Sequence, residues 1–340
     1  MSPVESAVPL AELHCHIEGA APTELVRELG HRNGHDVSHL IDEKHGYIWS
    51  DFNDFLHVYD EIASVFTRVE DYENLAFEYA SDLARQGAIY SEIFASTDHA
   101  QRSGVDPIAY LKALAEGQKR AQRNHGIVSR IVPIGVRQFG VEAVFRAAEL
   151  VIEAAKTNDH LTGFGIAGAE DFGSLRDAKG AFQQCGKAGL GLTAHAGEWT
   201  GPQTIRDALD LGVTRIGHGI RAAEDAGLVS MLAERCITLE VCPASNAALG
   251  AVAADVPNPV RVLHQAGVLL TANSDDPPHF HTNLAADVNL LVGFIGGEER
   301  KLRSELTRNA LNAAFVDEAT RQHLIEKLDA ALASAPSEAQ

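Results

Sequence analysis

The residues best suited to chemistry fall in four short stretches that lie far apart in the chain. "ELHCHIEGA" (12–20) carries His14 and His16, "TAHAGE" (193–198) carries His195 and Glu198, "RIGHG" (215–219) carries His218, and "TANSDDPP" (271–278) carries Asp275 and Asp276. Side chains alternate faces along a strand, so the pair His14 and His16 aims both imidazoles the same way. The imidazoles of His14, His16 and His195 with the Asp275 carboxylate form a nitrogen/oxygen donor set that suits Zn²⁺, with Fe²⁺ or Co²⁺ as substitutes. A catalytic zinc leaves a position for water and lowers the pKa of that water to about 7. His218 can then orient or deprotonate the water. Glu198, three residues past a ligand, can act as a general acid where an apolar pocket keeps it protonated. Asp276 can accept a hydrogen bond from the substrate. The catalytic set is thus Glu198, His218 and Asp275, and together with the metal it describes hydrolysis at an electrophilic carbon.

Taken singly, each stretch has a plainer reading: a capped strand end, a turn, a first-turn helix carboxylate. What unites them is the scaffold. Apolar, β-branched runs at 10–16, 88–94, 130–136, 161–166, 190–195, 214–218, 238–242 and 268–273 alternate with amphipathic helical patterns such as "ENLAFEYASDLARQ" and "VEAVFRAAELVIEAAK". Strict alternation predicts a parallel sheet wrapped by helices, and about eight strands predict a closed (β/α)₈ TIM barrel. The four stretches end the first, fifth, sixth and eighth strands, on the C-terminal rim where barrel active sites form. Residues 40–70 insert aromatic-rich helical material after the first strand, and 279–333 add helices after the last. One domain spans 1–340, with flexible ends at 1–9 and 333–340.

Other patterns are set aside. "GFGIAG" (163–168) satisfies G-x-G-x-x-G but lacks the early βαβ placement and clean helix of a dinucleotide site. "HIE" (16–18) mimics one half of a zinc motif whose P-C-x-x-C half is missing, Cys242 standing alone in "VCPAS". His279 and His281 fall at an expected helix start and point apart, while His31, His35, His39 and His45 read as solvated. The fourth strand end, "GFGIAGAE", offers no lysine to bridge a second metal, so a single metal is expected.

Bulk properties agree. The formal net charge of −19 without a basic cluster disfavours nucleic acid and anionic membranes as partners. The N-terminus lacks a signal-peptide pattern and no run is long enough for a membrane span, which predicts a cytoplasmic protein. Cys15, Cys185, Cys236 and Cys242 form no CxxC and are expected reduced and buried. Oligomeric state is not encoded in any recognisable pattern.

"ELHCHIEGA", "AHAGE", "IGHG", "LEVCPASNAALG" and "NSDDPP", in this order over residues 10–330, together resemble the adenosine deaminase family of metal-dependent amidohydrolases. The resemblance implies a one-zinc barrel that converts adenosine, and also 2′-deoxyadenosine, to inosine and ammonia in purine salvage. It implies that Glu198 protonates purine N1, that His218 steers the attacking hydroxide, that Asp276 faces N7 and that Gly168 offers its N–H to N3. With His16 and Glu18 these are the substrate-facing residues, and the segment around Trp49, Phe52 and Phe55 corresponds to a flap. Two positions depart from the animal-type pattern. Glu18 stands where those members have the Asp that contacts the ribose 5′-hydroxyl, a glutamate also found in adenine deaminases. Ala169 replaces an acidic residue. The alternative substrates are therefore adenine or an N6-modified purine, and a different class of reading is a purine-binding barrel without catalysis.

Overall fold

The computed structural model describes residues 8–44, 46–251 and 258–334. Eight parallel strands follow one another in chain order: β1 (Leu10–Glu12), β2 (Ala88–Ser96), β3 (Val128–Val136), β4 (Gly163–Ala167), β5 (Gly191–Ala196), β6 (Arg215–His218), β7 (Thr238–Val241) and β8 (Leu269–Ala272). Helices connect them on the outside, and the sheet closes where the extensions of β1 and β8 meet. His16 N–H donates to the Asp275 carbonyl (2.9 Å), Asp275 N–H donates to that of His14 (3.2 Å), and Leu13 N–H donates to Asn273 Oδ1 (2.8 Å). The (β/α)₈ barrel expected from the alternating pattern is present, and the closing seam itself carries His14, His16 and Asp275.

The glycines of "GFGIAG" have a packing reason. A Cβ at Gly163 or Gly191 would lie 2.7 or 2.2 Å from Phe315, whose ring plugs the N-terminal mouth of the barrel from the C-terminal helical segment. The Arg215 guanidinium carbon stacks 3.6 Å from the centre of that ring. Arg215 is fully buried; its Nη2 donates to Glu92 (2.6 Å), and its Nε lies 2.7 Å from Glu240 Oε1. This ion triad forms the floor beneath the site. A buried charge is tolerated only when paired, so Arg215→Met, which strands two carboxylates, should cost about 3–5 kcal/mol, read as a lowered urea midpoint at unchanged slope.

After β1 the insertion comprises an antiparallel pair, Ile41–Asp42 with Gly46–Tyr47, and a helix, Phe52–Ser64, N-capped by the Asp51 side chain accepting from Asp54 N–H. Its first part is thus a hairpin rather than helical. Three helices follow β8: Leu284–Ile295, Glu299–Ala313 and Glu318–Ser334. Of the ends expected to be flexible, 1–7 and 335–340 lie outside the described residues, as does His45. Val8 is buried, Pro9 accepts a hydrogen bond from the Thr307 hydroxyl, and Ala333 and Ser334 continue the last helix. Cys15, Cys185 and Cys242 are buried, but Cys236 is exposed: it turns the chain between a helix end and β7 with φ 53°. His279 and His281 sit in a turn before the helix start at Leu284. His279 is buried and stacked on Tyr47, whereas His281 is exposed. His31, His35 and His39 are exposed.

Candidate active site

The four donors proposed for the metal come together at the C-terminal mouth. His16 Nε2 lies 3.1 Å from His195 Nε2 and 3.5 Å from Asp275 Oδ1; His14 Nε2 lies 3.3 Å from the same oxygen. His218 joins their edge, so that donor atoms of His14, His195, His218 and Asp275 all fall within 4.8 Å of one another. Each ring is aimed by what its other nitrogen touches. His14 Nδ1–H donates to Glu240 Oε2 (2.9 Å) and His195 Nδ1–H to the Ile166 carbonyl (3.1 Å), which leaves both Nε2 lone pairs facing inward. His14 Nε2 is buried without a hydrogen-bond partner. Gly217 makes room, since a Cβ there would meet the His14 and His195 rings at 2.9 and 3.2 Å.

The electrostatics favour a cation. Burial opposes the charged form of His14, yet Asp275 and Glu240 outweigh it and pull its pKa up to about 9. Burial takes His16 down to about 4 and His195 well below its ordinary value. The Nε2 atoms of His16 and His195, the His14 Nε2 that makes no hydrogen bond, and the Asp275 carboxylate fit a divalent metal with nitrogen/oxygen preference. His218 and Asp275 hold left-handed backbone conformations, φ 59° and 61°, uncommon for residues other than glycine.

Glu198 Oε2 lies 3.5 Å from His218 Nε2. Burial, then the charges of Asp275 and Glu170, push its carboxyl well above the usual range, which favours its protonated form. The turn that presents it is clamped by Glu170 at the end of β4. One Glu170 oxygen accepts from Glu198 N–H (3.1 Å), the other from Trp199 N–H (3.1 Å), Thr200 N–H (2.7 Å) and the Thr200 hydroxyl (2.5 Å). Arg137 ties the same two strand ends by donating to the carbonyls of Gly168 and His195. Asn246 holds His218 Nδ1 at 3.0 Å, and burial keeps that imidazole neutral, with its pKa at about 3. Asp276 is buried beside Asp275. Burial and that neighbour raise its pKa well above normal, and its Oδ1 has no partner. A Cβ at Gly19 would sit 1.7 Å from that oxygen, so the glycine of "HIEGA" is required.

These groups open onto a cavity lined by His16, Gly168, His195, Glu198, His218, Asp275 and Asp276. Phe52, Phe55, Leu56 and Tyr59 of the inserted helix roof it, while Trp49 packs against Phe55 and Phe280 instead of lining it. Glu18 does not line the cavity. It is fully buried, and its oxygens accept from the hydroxyls of Tyr59 (3.1 Å) and Tyr110 (2.5 Å), so it reaches the cavity only through Tyr59.

A family profile described as adenosine deaminase matches residues 9–331. The chain belongs to the adenosine deaminase family. An adenine deaminase of Mesorhizobium japonicum is 44% identical over 322 residues, covering 94% of this chain and 98% of that protein. The crystal structure of an adenine deaminase from Arthrobacter aurescens superposes with a TM-score of 0.87 at 27% identity, covering 96% of this chain and all of that one. A zinc-bound amidohydrolase from Burkholderia ambifaria superposes at 0.84 with 25% identity, covering 97% and 93%. As a member of this metal-dependent family the chain is a hydrolase acting on C–N bonds. Among the described residues, no helix is long and apolar enough to cross a membrane.

Several residues around this deaminase-family site were not singled out from the sequence: Glu240, Glu92, Arg215, Glu170, Asn246, Gln138, Tyr59 and Tyr110. Three of them left a readable signal. A lone charge inside an apolar strand, as in "ITLEVC", "AIYSEIF" or "VTRIGH", is a buried charge that must have a partner.

Proposed function

We propose that this chain hydrolyses the exocyclic amine of a 6-aminopurine, with adenine as its preferred substrate. The observation that carries the reaction type is the convergence of His14, His16, His195 and Asp275 at the mouth of a cavity that Glu198, a buried carboxyl whose pKa is raised, also lines. Relatives at 44–46% identity are named adenine deaminases, which favours the free base over adenosine as the substrate. The Glu18 environment supports the same choice. Where an animal-type member offers a carboxylate to the sugar, this chain presents the Tyr59 ring, with the carboxylate sealed behind it.

The metal proposed is one zinc per chain, held by His14, His16, His195 and Asp275. When bound, it supplies the Lewis acidity that makes water a nucleophile at neutral pH. The protein groups do the rest. Glu198 gives its proton to N1, which draws electrons from C6. His218 takes the proton lost by the attacking water and passes it to the departing amine; the C6–OH proton returns to Glu198 as the carbonyl forms, and the C6–N bond breaks with release of ammonia. Asp276, whose pKa burial and Asp275 raise, donates to N7 in its protonated form, and Gly168 N–H donates to N3. The whole chain acts as one catalytic domain.

The test is ammonia release from adenine, adenosine, 2′-deoxyadenosine and N6-methyladenine. Adenine should exceed adenosine in kcat/KM by about a hundredfold or more, as expected of a site that recognises an N–H the nucleoside lacks. A higher kcat/KM for adenosine would overturn the substrate assignment; no turnover of any of the four would overturn the reaction.

A further inference from the structure

Ser96, His99 and Gln138 line the cavity without a part in the chemistry above; Ser96 and His99 bond each other and His99 also Asp60, which leaves Gln138. Gln138 lines it from the 3₁₀ turn Arg137–Phe139 that follows β3, and its Oε1 is buried without a hydrogen-bond partner. Its position relative to Gly168 is tightly defined. A Cβ on Gly168 would fall 2.0 Å from Gln138 Oε1 and 3.3 Å from the Arg137 backbone nitrogen. The neighbouring Arg137 Nη1 donates to the Gly168 carbonyl at 3.1 Å, which fastens the turn to the end of β4. Gly168 itself has φ 91°, so its lack of a side chain serves both the backbone conformation and the approach of the carboxamide. A buried acceptor left unpaired is costly, and this one belongs to a residue that lines the cavity, where a bound ligand could supply the missing donor.

We infer that Gln138 Oε1 accepts the N9–H of a free purine base and is a specificity-determining residue of this site. The inference rests on the proposed orientation, with C6 beside Glu198 and N3 at Gly168. N3 and N9 are both bonded to C4 and share one edge of the purine. A group alongside Gly168 therefore faces N9. In the free base that edge presents an acceptor at N3 next to a donor at N9–H, and the backbone N–H of Gly168 with the Gln138 oxygen is the complementary donor–acceptor pair. A nucleoside replaces the N9 hydrogen by a sugar carbon. It would leave Oε1 unpaired and press the sugar against the carboxamide, so discrimination arises from both terms.

The experiment compares the wild-type enzyme with Gln138→Met, of similar volume, and Gln138→Ser, which opens space. The kcat/KM is measured on adenine and on 9-methyladenine. Dissociation constants for hypoxanthine and 9-methylhypoxanthine are measured by calorimetry, a readout that does not depend on turnover. Gln138→Met should lower kcat/KM for adenine about tenfold, mainly through KM, and weaken hypoxanthine by a similar factor while the 9-methyl compounds change little. Gln138→Ser should narrow the preference further by admitting the methyl group. An unchanged ratio of base to 9-methyl compound in both variants, or equal losses for the two, would overturn the assignment of Gln138. The wild-type ratio is read separately: a wild type that prefers the 9-substituted compounds would overturn the substrate reading together with this inference, whereas a wild type that prefers the base with variants that keep its ratio overturns Gln138 alone.

Discussion

Glu198→Gln should keep its metal and its fold and lose turnover by about 10²–10⁴-fold, with KM little changed. The size of the effect follows from the geometry. The carboxyl is buried and stands 3.5 Å from His218 Nε2, and burial with the charges of Asp275 and Glu170 raises its pKa well above the usual range. A glutamine of the same shape keeps the turn on its Glu170 clamp, because the clamp binds the backbone N–H of residue 198 and not its side chain. What disappears is a proton that can be transferred. Since Glu198 acts as the acid, activity should also fall as pH rises through its elevated pKa, and that alkaline limb should be absent from the residual rate of the variant. Single-turnover rates with metal analysis on the same sample check the prediction. Activity within a few fold of wild type would remove Glu198 from the role of acid.

The clamp fixes where Glu198 stands. Glu170 belongs to the end of β4 and Glu198 to the turn after β5, two segments whose only covalent link runs through an entire helix. Three consecutive N–H groups and one hydroxyl on a single carboxylate convert that long connection into a fixed distance. Preorganisation of this kind lets a group on a loop act with the precision of one on a strand.

The strands and the convergence of His14, His16, His195, Glu198, His218, Asp275 and Asp276 were legible in the sequence for one physical reason. A parallel barrel forces apolar runs of nearly constant length, and its C-terminal rim is where polar residues interrupt them. The inserted hairpin at Ile41–Tyr47 was not legible, because two-residue strands leave no periodicity to read. Nor was the setting of Glu18. The family resemblance placed it among the substrate-facing residues, but the tyrosines that enclose it come from residues 59 and 110, and long-range partners of this kind leave no trace in local sequence. Gln138 escaped notice for a related reason: a glutamine in "VRQFG" is unremarkable until the fold sets it against Gly168.

The second large effect concerns the metal. His14→Ala removes a donor whose Nε2 makes no hydrogen bond and leaves Glu240 to Arg215 and the Thr193 hydroxyl. Asp275→Ala removes the oxygen that lies within 3.5 Å of both His14 and His16. Both variants should purify with almost no bound metal and with activity below detection. Glu240→Gln is the informative contrast. It touches no proposed donor position, but it weakens the acceptor that fixes the tautomer and direction of His14, so metal affinity should fall by about 10–100-fold while saturating metal restores full occupancy. Elemental analysis after dialysis against a chelator series separates these outcomes. Thermal unfolding adds a measure independent of activity. A metal that binds only the folded state raises the midpoint with its concentration, so added zinc should raise it for wild type, raise it only at higher concentration for Glu240→Gln, and leave His14→Ala unmoved. Retention of stoichiometric metal by His14→Ala would show that the centre is built from other residues, with His218 the first to consider because its nitrogen already stands within 4.8 Å of the rest.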